Sequence, residues 1–383
     1  MCRTPVGGAR PPGVRVDRPP RPSRRAGPTR SRSAAVTATL RDVARMAGVH
    51  PGTASRAMNP DMAHLVNAAT AQRVQEAAER LGYIPNSLAR SLKTSRTHSL
   101  GVLVPDIADP LFPPILRGIE DTASQAGYTV VVANTDGDPE RTRRQAAGLR
   151  ARQVDGLILA PAGSVDPFVA ELEAAAVPLV LVNRVDAEKR LASVAGDEVS
   201  GVRQALAHLH GLGHRRIAHL AGPADTPAGA ARLRAFREVA AAYGLSAEQC
   251  PVTEAAADRI EEGARAAARL LDGDGRITAV LAAHDLLALG CCETLTARGL
   301  RCPEDVSVVG FDGLPLLDRV SPPLTTVGLP QYTCGTEAAR LLLDRLRDPE
   351  APPESVLLPV SLTVRGSTAP VRDTAPSAVA GAR

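Results

Sequence analysis

From Ser99 onward the chain alternates short apolar runs with amphipathic stretches, and this alternation restricts the fold more than any other feature. The runs occupy residues 100–104, 129–133, 156–160, 179–183, 217–221, 279–283 and 306–311. Between them, residues 114–126, 141–152, 200–212, 230–243, 261–271 and 286–297 carry apolar side chains at helical spacing. Strand, helix and strand repeated this often define a doubly wound parallel sheet, and the strands suffice for two. A chain of 383 residues is also too long for one ordinary core. Ligands of such sheets bind beyond the carboxyl ends of the strands, so the cleft between two sheets is the expected pocket.

A different pattern precedes this region. Residues 39–83 read as three short helices. Thr39 with Asp42 three residues on forms a capping-box start, Leu40, Val43, Ala44 and Ala47 keep helical spacing, and Gly48 ends the first helix. Pro51 opens a second helix with Ala54, Ala57 and Met58 on its inner face. A polar loop then leads to a third helix over 70–81, stopped by Gly82. A helix, a glycine-containing turn and a second helix within about twenty residues match the helix-turn-helix.

Charge divides the chain the same way. Residues 1–37 carry a net +8, residues 38–98 a net +4, and the remainder −8. A basic end joined to an acidic body suggests a nucleic-acid module fused to another kind of domain. Residues 1–37 are rich in Arg, Pro and Ser and too poor in large apolar residues to fold, and residues 367–383 are likewise expected to be a disordered tail. No apolar stretch of leader type follows the early charges and no run reaches the length of a membrane span, so a cytoplasmic protein without a membrane partner is expected. The six cysteines have neither metal-ligand spacing nor a paired framework and read as reduced thiols. The segment HLHGLGH, 208–214, falls on a helix and its last turn, and no metal is expected there.

Other functions fit less well. No G-x-G-x-x-G opens a helix after the first strand, and neither a P-loop nor a G-x-S-x-G elbow occurs, so the chain does not read as an enzyme and no cofactor is expected. A solute-binding transport protein would share the two-sheet cleft but would have a leader and no helix-turn-helix.

The segments TLRDVARMAGVHPGTASRAMN (39–59) and RLGYIPNSLARSLKTSRTHSLGVLVPD (80–106) closely resemble the lactose-repressor/galactose-repressor (LacI/GalR) family. VDGLIL (154–159), LGHRRIAHLAGP (212–223), RLRAF (232–236), HDLLALG (284–290) and PEDVSVVGFD (303–312) extend the resemblance to about Gly366. It implies an all-α helix-turn-helix domain at 38–84, a hinge helix and linker at 85–98, and a periplasmic-binding-protein-like effector domain at 99–366. Its two α/β lobes would comprise 99–196 with 328–353, and 197–327 with 354–366, with crossings near Gly196, Val327 and Pro353.

The resemblance also implies roles for particular residues. The second helix would enter the major groove of double-stranded DNA, where Arg56 can present a bidentate fork to guanine. Two of the family's base-reading positions fall on Pro51 and Gly52. Gly52 has no side chain to read with, which leaves the code to Arg56 foremost, with Thr53, while His50 stands at the helix-capping position. Thr39, Ser55, Asn59 and Thr70 match phosphate contacts, which set register rather than sequence. In the hinge, Asn86, Ala89 and Leu92 would meet the minor groove, Leu92 as the wedge that kinks the duplex. So short a helix is unstable alone in water and would form only when two copies pair. A palindromic operator and a homodimer follow; with no leucine in 367–383, no tetramer-forming coiled coil is expected.

Ligand contacts would come from Asp109, Leu111, Phe112, Asn183, Arg232, His284 and Asp312, with Asp285 read as the cap of a helix beginning at Leu286. Two departures from the family bear on the effector. His284 replaces its usual Asn or Asp, and stacking aromatics are scarce, with Leu111 at one such position and none over 255–257. A carbohydrate or polyol is the expected effector, a purine-like base is disfavoured, and the protein is expected to act as a repressor.

Overall fold

The structure, a computed structural model, describes residues 38–59, 62–83, 96–161, 167–186, 190–224, 226–273 and 276–371. Residues 1–37 and the hinge positions Asn86, Ala89 and Leu92 lie outside them. The chain divides into two units, one ending at Asn86 and the other beginning at Ser87.

The first unit holds α1 (Leu40–Ala47), α2 (Pro51–Ala57), a 3-10 turn (Ala63–Leu65) and α3 (Ala68–Leu81). The Thr39 side chain accepts from the Asp42 N–H, and the Asp42 carboxylate accepts from the Thr39 N–H at 3.0 Å, which completes the capping box. Gly48 ends α1 at φ 65, a conformation that costs glycine nothing. Asn67 caps α3 through the Ala69 N–H, so this helix begins two residues before the expected Thr70. Val43, Ala44, Ala47, Ala54, Ala57, Val74, Ala77 and Ala78 form a core made almost wholly of small side chains, which lets the three helices approach closely.

The second unit contains two six-stranded sheets. One has the order β11-β5-β4-β3-β1-β2 and is parallel throughout. Its strands are β1 (Ser99–Val104), β2 (Thr129–Asn134), β3 (Gly156–Leu159), β4 (Leu179–Val182), β5 (Ala192–Gly196) and β11 (Ser355–Leu358). The other has the order β12-β10-β9-β8-β6-β7, and only β12 runs antiparallel to its neighbour. It comprises β6 (Ile217–Ala221), β7 (Val252–Glu254), β8 (Ala279–Ala282), β9 (Ser307–Asp312), β10 (Thr325–Gly328) and β12 (Ser361–Thr363).

The helices of the first lobe are α4 (Phe112–Gln125), α5 (Pro139–Ala151), α6 (Pro167–Ala174) and α11 (Gln331–Arg347). Those of the second are α7 (Glu198–Gly211), α8 (Pro227–Ala242), α9 (Ile260–Asp272) and α10 (Asp285–Ala297). The central strands are buried along their full length, as strands covered on both faces require.

Two expected boundaries shift. The third crossing between lobes falls between β11 and β12, beyond Leu358 rather than at Pro353, because the short SVLL run adds an edge strand to the first sheet before the chain crosses. The second lobe also continues past Gly366. Ser367 is fully buried and its hydroxyl donates to the Val308 carbonyl at 2.6 Å, while the Val371 N–H donates to Leu212 O at 3.0 Å. The segment read as the start of a tail is thus pinned to β9 and to the end of α7.

Helices α4 and α11 touch backbone to backbone. A Cβ on Gly335 would overlap the Ile115 carbonyl, and one on Gly118 the Tyr332 carbonyl. Gly211, the last residue of α7, faces nothing within 4 Å. Gly335→Ala is therefore expected to destabilise the second unit by ~1–3 kcal/mol through overpacking. Gly211→Ala should be neutral or stabilise by up to about 1 kcal/mol, since alanine loses less backbone freedom in a helix. Equilibrium urea denaturation of the two variants checks the contrast.

Candidate functional site

The carboxyl ends of the strands in both lobes gather the polar residues. Asp109 follows β1, Asn183 follows β4, His284 follows β8 and Asp312 ends β9. Asn183 and Asp312 adopt φ 58 and φ 97, and each turns its strand sharply at the edge of the cleft. Asp109 and His284 come from different lobes, yet the Asp109 carboxylate lies 4.0 Å from the imidazole Nε2.

Arg232, on α8, organises the second lobe's side of the cleft. Its Nε and one Nη hold the Glu198 carboxylate, at 2.5 and 3.2 Å. Asp312 accepts from both terminal nitrogens, at 2.6 and 3.1 Å, and the last N–H meets the Ala283 carbonyl. All five guanidinium N–H groups are thereby used by the protein. The guanidinium also lies over the Phe311 ring, 4.0 Å from its centre. Burial works against its charge, but the Asp312 and Glu198 carboxylates outweigh this and hold its pKa above the ordinary value.

His284 caps α10. Its Nδ1 accepts from the Leu286 N–H at 3.1 Å, which puts the proton of the neutral ring on Nε2. That Nε2 is buried and has no hydrogen-bond partner, 3.4 Å from an Asp312 oxygen. Burial lowers the imidazole pKa, and the carboxylates of Asp312, Asp258, Asp109 and Asp285 more than reverse this, so the net shift is upward.

Asp285 does not cap the helix, contrary to expectation. It is the first residue of α10 and points into the lobe, accepting from the Thr326 hydroxyl at 2.6 Å and the Leu314 N–H at 2.8 Å. A Cβ on Gly310 would overlap its carboxylate, so this position of β9 has room only for glycine.

Leu111 and Phe112, expected at the ligand, are buried in the hydrophobic core at the start of α4. Glu198, Asp258 and Gln331 were not foreseen. Gln331, at the start of α11, donates to the carbonyls of Asp312 at 2.9 Å and Gly313 at 3.3 Å. Glu198 had a signal, an acidic residue just after the expected crossing at Gly196. Gln331 had none. The three histidines of HLHGLGH have separate partners: His208 meets Thr368, His210 stacks on Tyr243, and His214 bridges Thr278 and the Ala369 carbonyl.

In the first unit His50 caps α2 just as His284 caps α10, its Nδ1 accepting from the Gly52 N–H at 3.1 Å. Ala54 and Ala57 face inward while Pro51 and Arg56 are exposed and Gly52, Thr53 and Ser55 half-buried. Arg56 Nε donates to the Gly52 carbonyl at 3.3 Å, which lays the guanidinium along the outer face of the helix. Thr39 stands at the start of α1, Asn59 just beyond α2 and Thr70 in the first turn of α3.

A helix-turn-helix unit joined to a two-lobed, polar-lined cleft defines a DNA-binding transcription regulator controlled by a small molecule. Comparison with known proteins agrees. Residues 39–86 match the model of bacterial regulatory proteins of the lacI family, and residues 206–368 that of the periplasmic binding protein-like domain. The HTH-type transcriptional repressor CytR of Escherichia coli (strain K12) is 36% identical over 335 residues, covering 86% of this chain and 96% of its own. A structure of the transcriptional regulator CelR in complex with cellobiose is 34% identical, with a TM-score of 0.66 over 86% of this chain and 99% of that one. The lac repressor dimer bound to operator and the anti-inducer ONPF is 31% identical, with a TM-score of 0.78 over 87% and 99%. The chain belongs to the LacI family.

Burial raises the Asp285 pKa from 3.8 to about 7, against the opposing hydrogen bonds from Thr326 and Leu314. The folded state then holds this proton more tightly than the unfolded chain. Its contribution to stability is largest below pH 3.8 and declines as pH rises to about 7. Asp285→Asn can keep both contacts, its amide oxygen accepting from the Leu314 N–H and its NH2 donating to the Thr326 hydroxyl, which can turn its own proton to the Val327 carbonyl. With no group to titrate, its stability should fall less than the wild type's between pH 4 and 7, as followed by urea denaturation across that range.

Proposed function

We propose that the protein is a cytoplasmic, homodimeric repressor that binds a palindromic operator and takes a neutral, hydroxyl-rich effector, a sugar or polyol, between its lobes. The saturation of Arg232 carries the effector reading. With its donors used internally, the cleft offers an incoming molecule the acceptor oxygens of Asp109 and Asp312, the Asn183 amide, which both donates and accepts, and one further donor, the His284 Nε2–H. A molecule rich in hydroxyls satisfies such a set, whereas a phosphate or carboxylate would meet two carboxylates with only neutral donors, the His284 Nε2–H and the Asn183 amide, to hold it. Leu111 and Phe112 support the wall from behind. The cellobiose held by the relative CelR and the ribose held by a LacI family regulator from Enterococcus faecium point the same way.

On DNA, α2 lies in the major groove with Arg56 on guanine and Thr53 beside it, while Pro51 and Gly52 bring the backbone close. Thr39, Ser55, Asn59 and Thr70 hold phosphates, and Asn86, Ala89 and Leu92 act in the minor groove. The exposure of Arg56 opposite the buried Ala54 and Ala57 supports this orientation.

Two measurements check these roles. In thermal-shift assays, cellobiose, ribose or related neutral sugars should raise the melting temperature, and ribose 5-phosphate or gluconate should not. A melting shift confined to the anionic compounds would reverse the effector reading. Asp109→Ala should abolish the sugar-induced shift and leave operator affinity unchanged. Arg232→Ala is a poor probe, because it leaves two buried carboxylates unpaired at about 3–5 kcal/mol. Arg56→Ala should relax discrimination at one base pair per half-site by ~1–3 kcal/mol in competition binding, and an unchanged base preference would reject its assignment.

A further inference from the structure

Two exposed side chains of the first unit meet over a glycine. At Gly52 α2 has no side chain, and at Pro51 it has only an apolar ring, so neither side chain can hydrogen-bond a base edge. His50 and Arg56 close on the space that is left. A Cβ on Gly52 would stand 3.2 Å from the His50 Nδ1, 3.7 Å from its Cε1 and 3.9 Å from the Arg56 Nη2. Imidazole and guanidinium thus flank one point and lie less than about 8 Å apart. Base pairs stack about 3.4 Å apart, so the two groups can reach neighbouring ones.

Both groups are held by the same residue. The Arg56 Nε donates to the Gly52 carbonyl at 3.3 Å, and the His50 Nδ1 accepts from the Gly52 N–H at 3.1 Å. The second bond fixes the tautomer, since a neutral ring that accepts at Nδ1 carries its proton on Nε2. His50 is exposed, and its Nε2 has no hydrogen-bond partner among the described residues. Capping alone does not call for a ring. Serine, threonine, aspartate and asparagine cap with a short side chain, whereas histidine caps with one nitrogen and directs a donor outward from the other.

We infer that His50 is a specificity-determining residue of the DNA interface, its Nε2–H donating to the N7 of a purine beside the guanine that Arg56 reads. This role rests on the placement of α2 in the major groove. A lone donor suits that atom. Both purines present N7 there as an acceptor, whereas cytosine presents a donor. His50 thereby supplies the contact that Gly52 cannot make. It can do so because position 52 is glycine, as a Cβ there would already press on Nδ1.

A library of duplexes with a randomised two-fold-symmetric core is selected with the full-length protein and, in parallel, with His50→Ser and Arg56→Ala. Serine keeps the cap but lacks the reach, and an unchanged melting temperature shows that the cap is kept. The wild type should enrich a guanine with a purine beside it in each half-site. His50→Ser should keep the guanine, lose the neighbouring preference and bind the wild-type sequence ~3–10-fold more weakly per half-site. Replacing that purine by its 7-deaza analogue should weaken the wild type by a similar factor and leave His50→Ser unaffected. If a pyrimidine is enriched there, if His50→Ser enriches the wild-type sequence, or if the 7-deaza change weakens both proteins alike, the donor role of His50 is overturned while the placement of α2 stands. If no sequence is enriched, or Arg56→Ala leaves every preference in place, the placement of α2 fails and the role of His50 with it.

Discussion

The second lobe is organised around one buried cation. Arg232 joins α8 to α7 through Glu198, to the end of β9 through Asp312, and to the end of β8 through the Ala283 carbonyl. Removing such charges from water costs several kcal/mol each, and the group persists only because every guanidinium N–H finds an acceptor and Phe311 covers one face. Three elements are thereby held in one register beside the cleft. The same saturation decides what the cleft offers. A lone buried arginine would attract anions, whereas one already spent on two carboxylates leaves an acceptor-rich surface with His284 as its main donor.

Adjacent residues divide the remaining work. His284 turns its ring toward the cleft while its inner nitrogen caps α10, and Asp285 turns inward to hold Thr326 and Leu314. The dipole of α10 favours the negative charge of Asp285 at its first turn and disfavours a positive charge on His284. The carboxylates around Nε2 pull the other way. A proton added at Nδ1 would also break the bond from the Leu286 N–H, so the neutral ring with Nε2–H meets both demands best. Gly310 belongs to the same arrangement, since any side chain there would displace the Asp285 carboxylate.

Much of this was legible in the sequence. The long apolar runs that became β1, β3, β4, β6, β8 and β9 are buried on both faces, and burial on both faces writes an uninterrupted apolar signal. Strands β5, β7, β10, β11 and β12 escaped. ASVAG and TTVG are small or polar segments made strands by their neighbours rather than by propensity. Asp109, Arg232, His284 and Asp312, which the family resemblance singles out, lie next to one another. Leu111 and Phe112, which the family resemblance puts near the ligand, open α4 and are buried, as an apolar pair at the start of a helix readily is. The cap of α10 was assigned to Asp285 because aspartate is the commoner cap. A histidine whose Nδ1 accepts a backbone N–H does the same work, as His50 does for α2.

The lobes are joined by three strands of chain, and α11 links one of these crossings to the first lobe. It begins where the second crossing ends, and Gln331 grips the Asp312 and Gly313 carbonyls at the rim of the cleft. From there it runs about 25 Å through the first lobe. Its contact with α4 is too close for anything but glycine at Gly118 and Gly335, so the two helices cannot slide without separating. At its far end the Leu346 carbonyl accepts from Arg96 at 2.9 Å, just ahead of β1. Asp155 fixes the next residues, accepting from the N–H groups of Thr97 and His98 at 2.8 and 3.0 Å. One stiff helix thus touches the strand end that carries Asp312 and the point where the chain enters the first sheet. A ligand that reorients the end of β9 acts on an element with little freedom to absorb the change locally, and packed interfaces of this kind respond by shifting between discrete arrangements rather than by deforming.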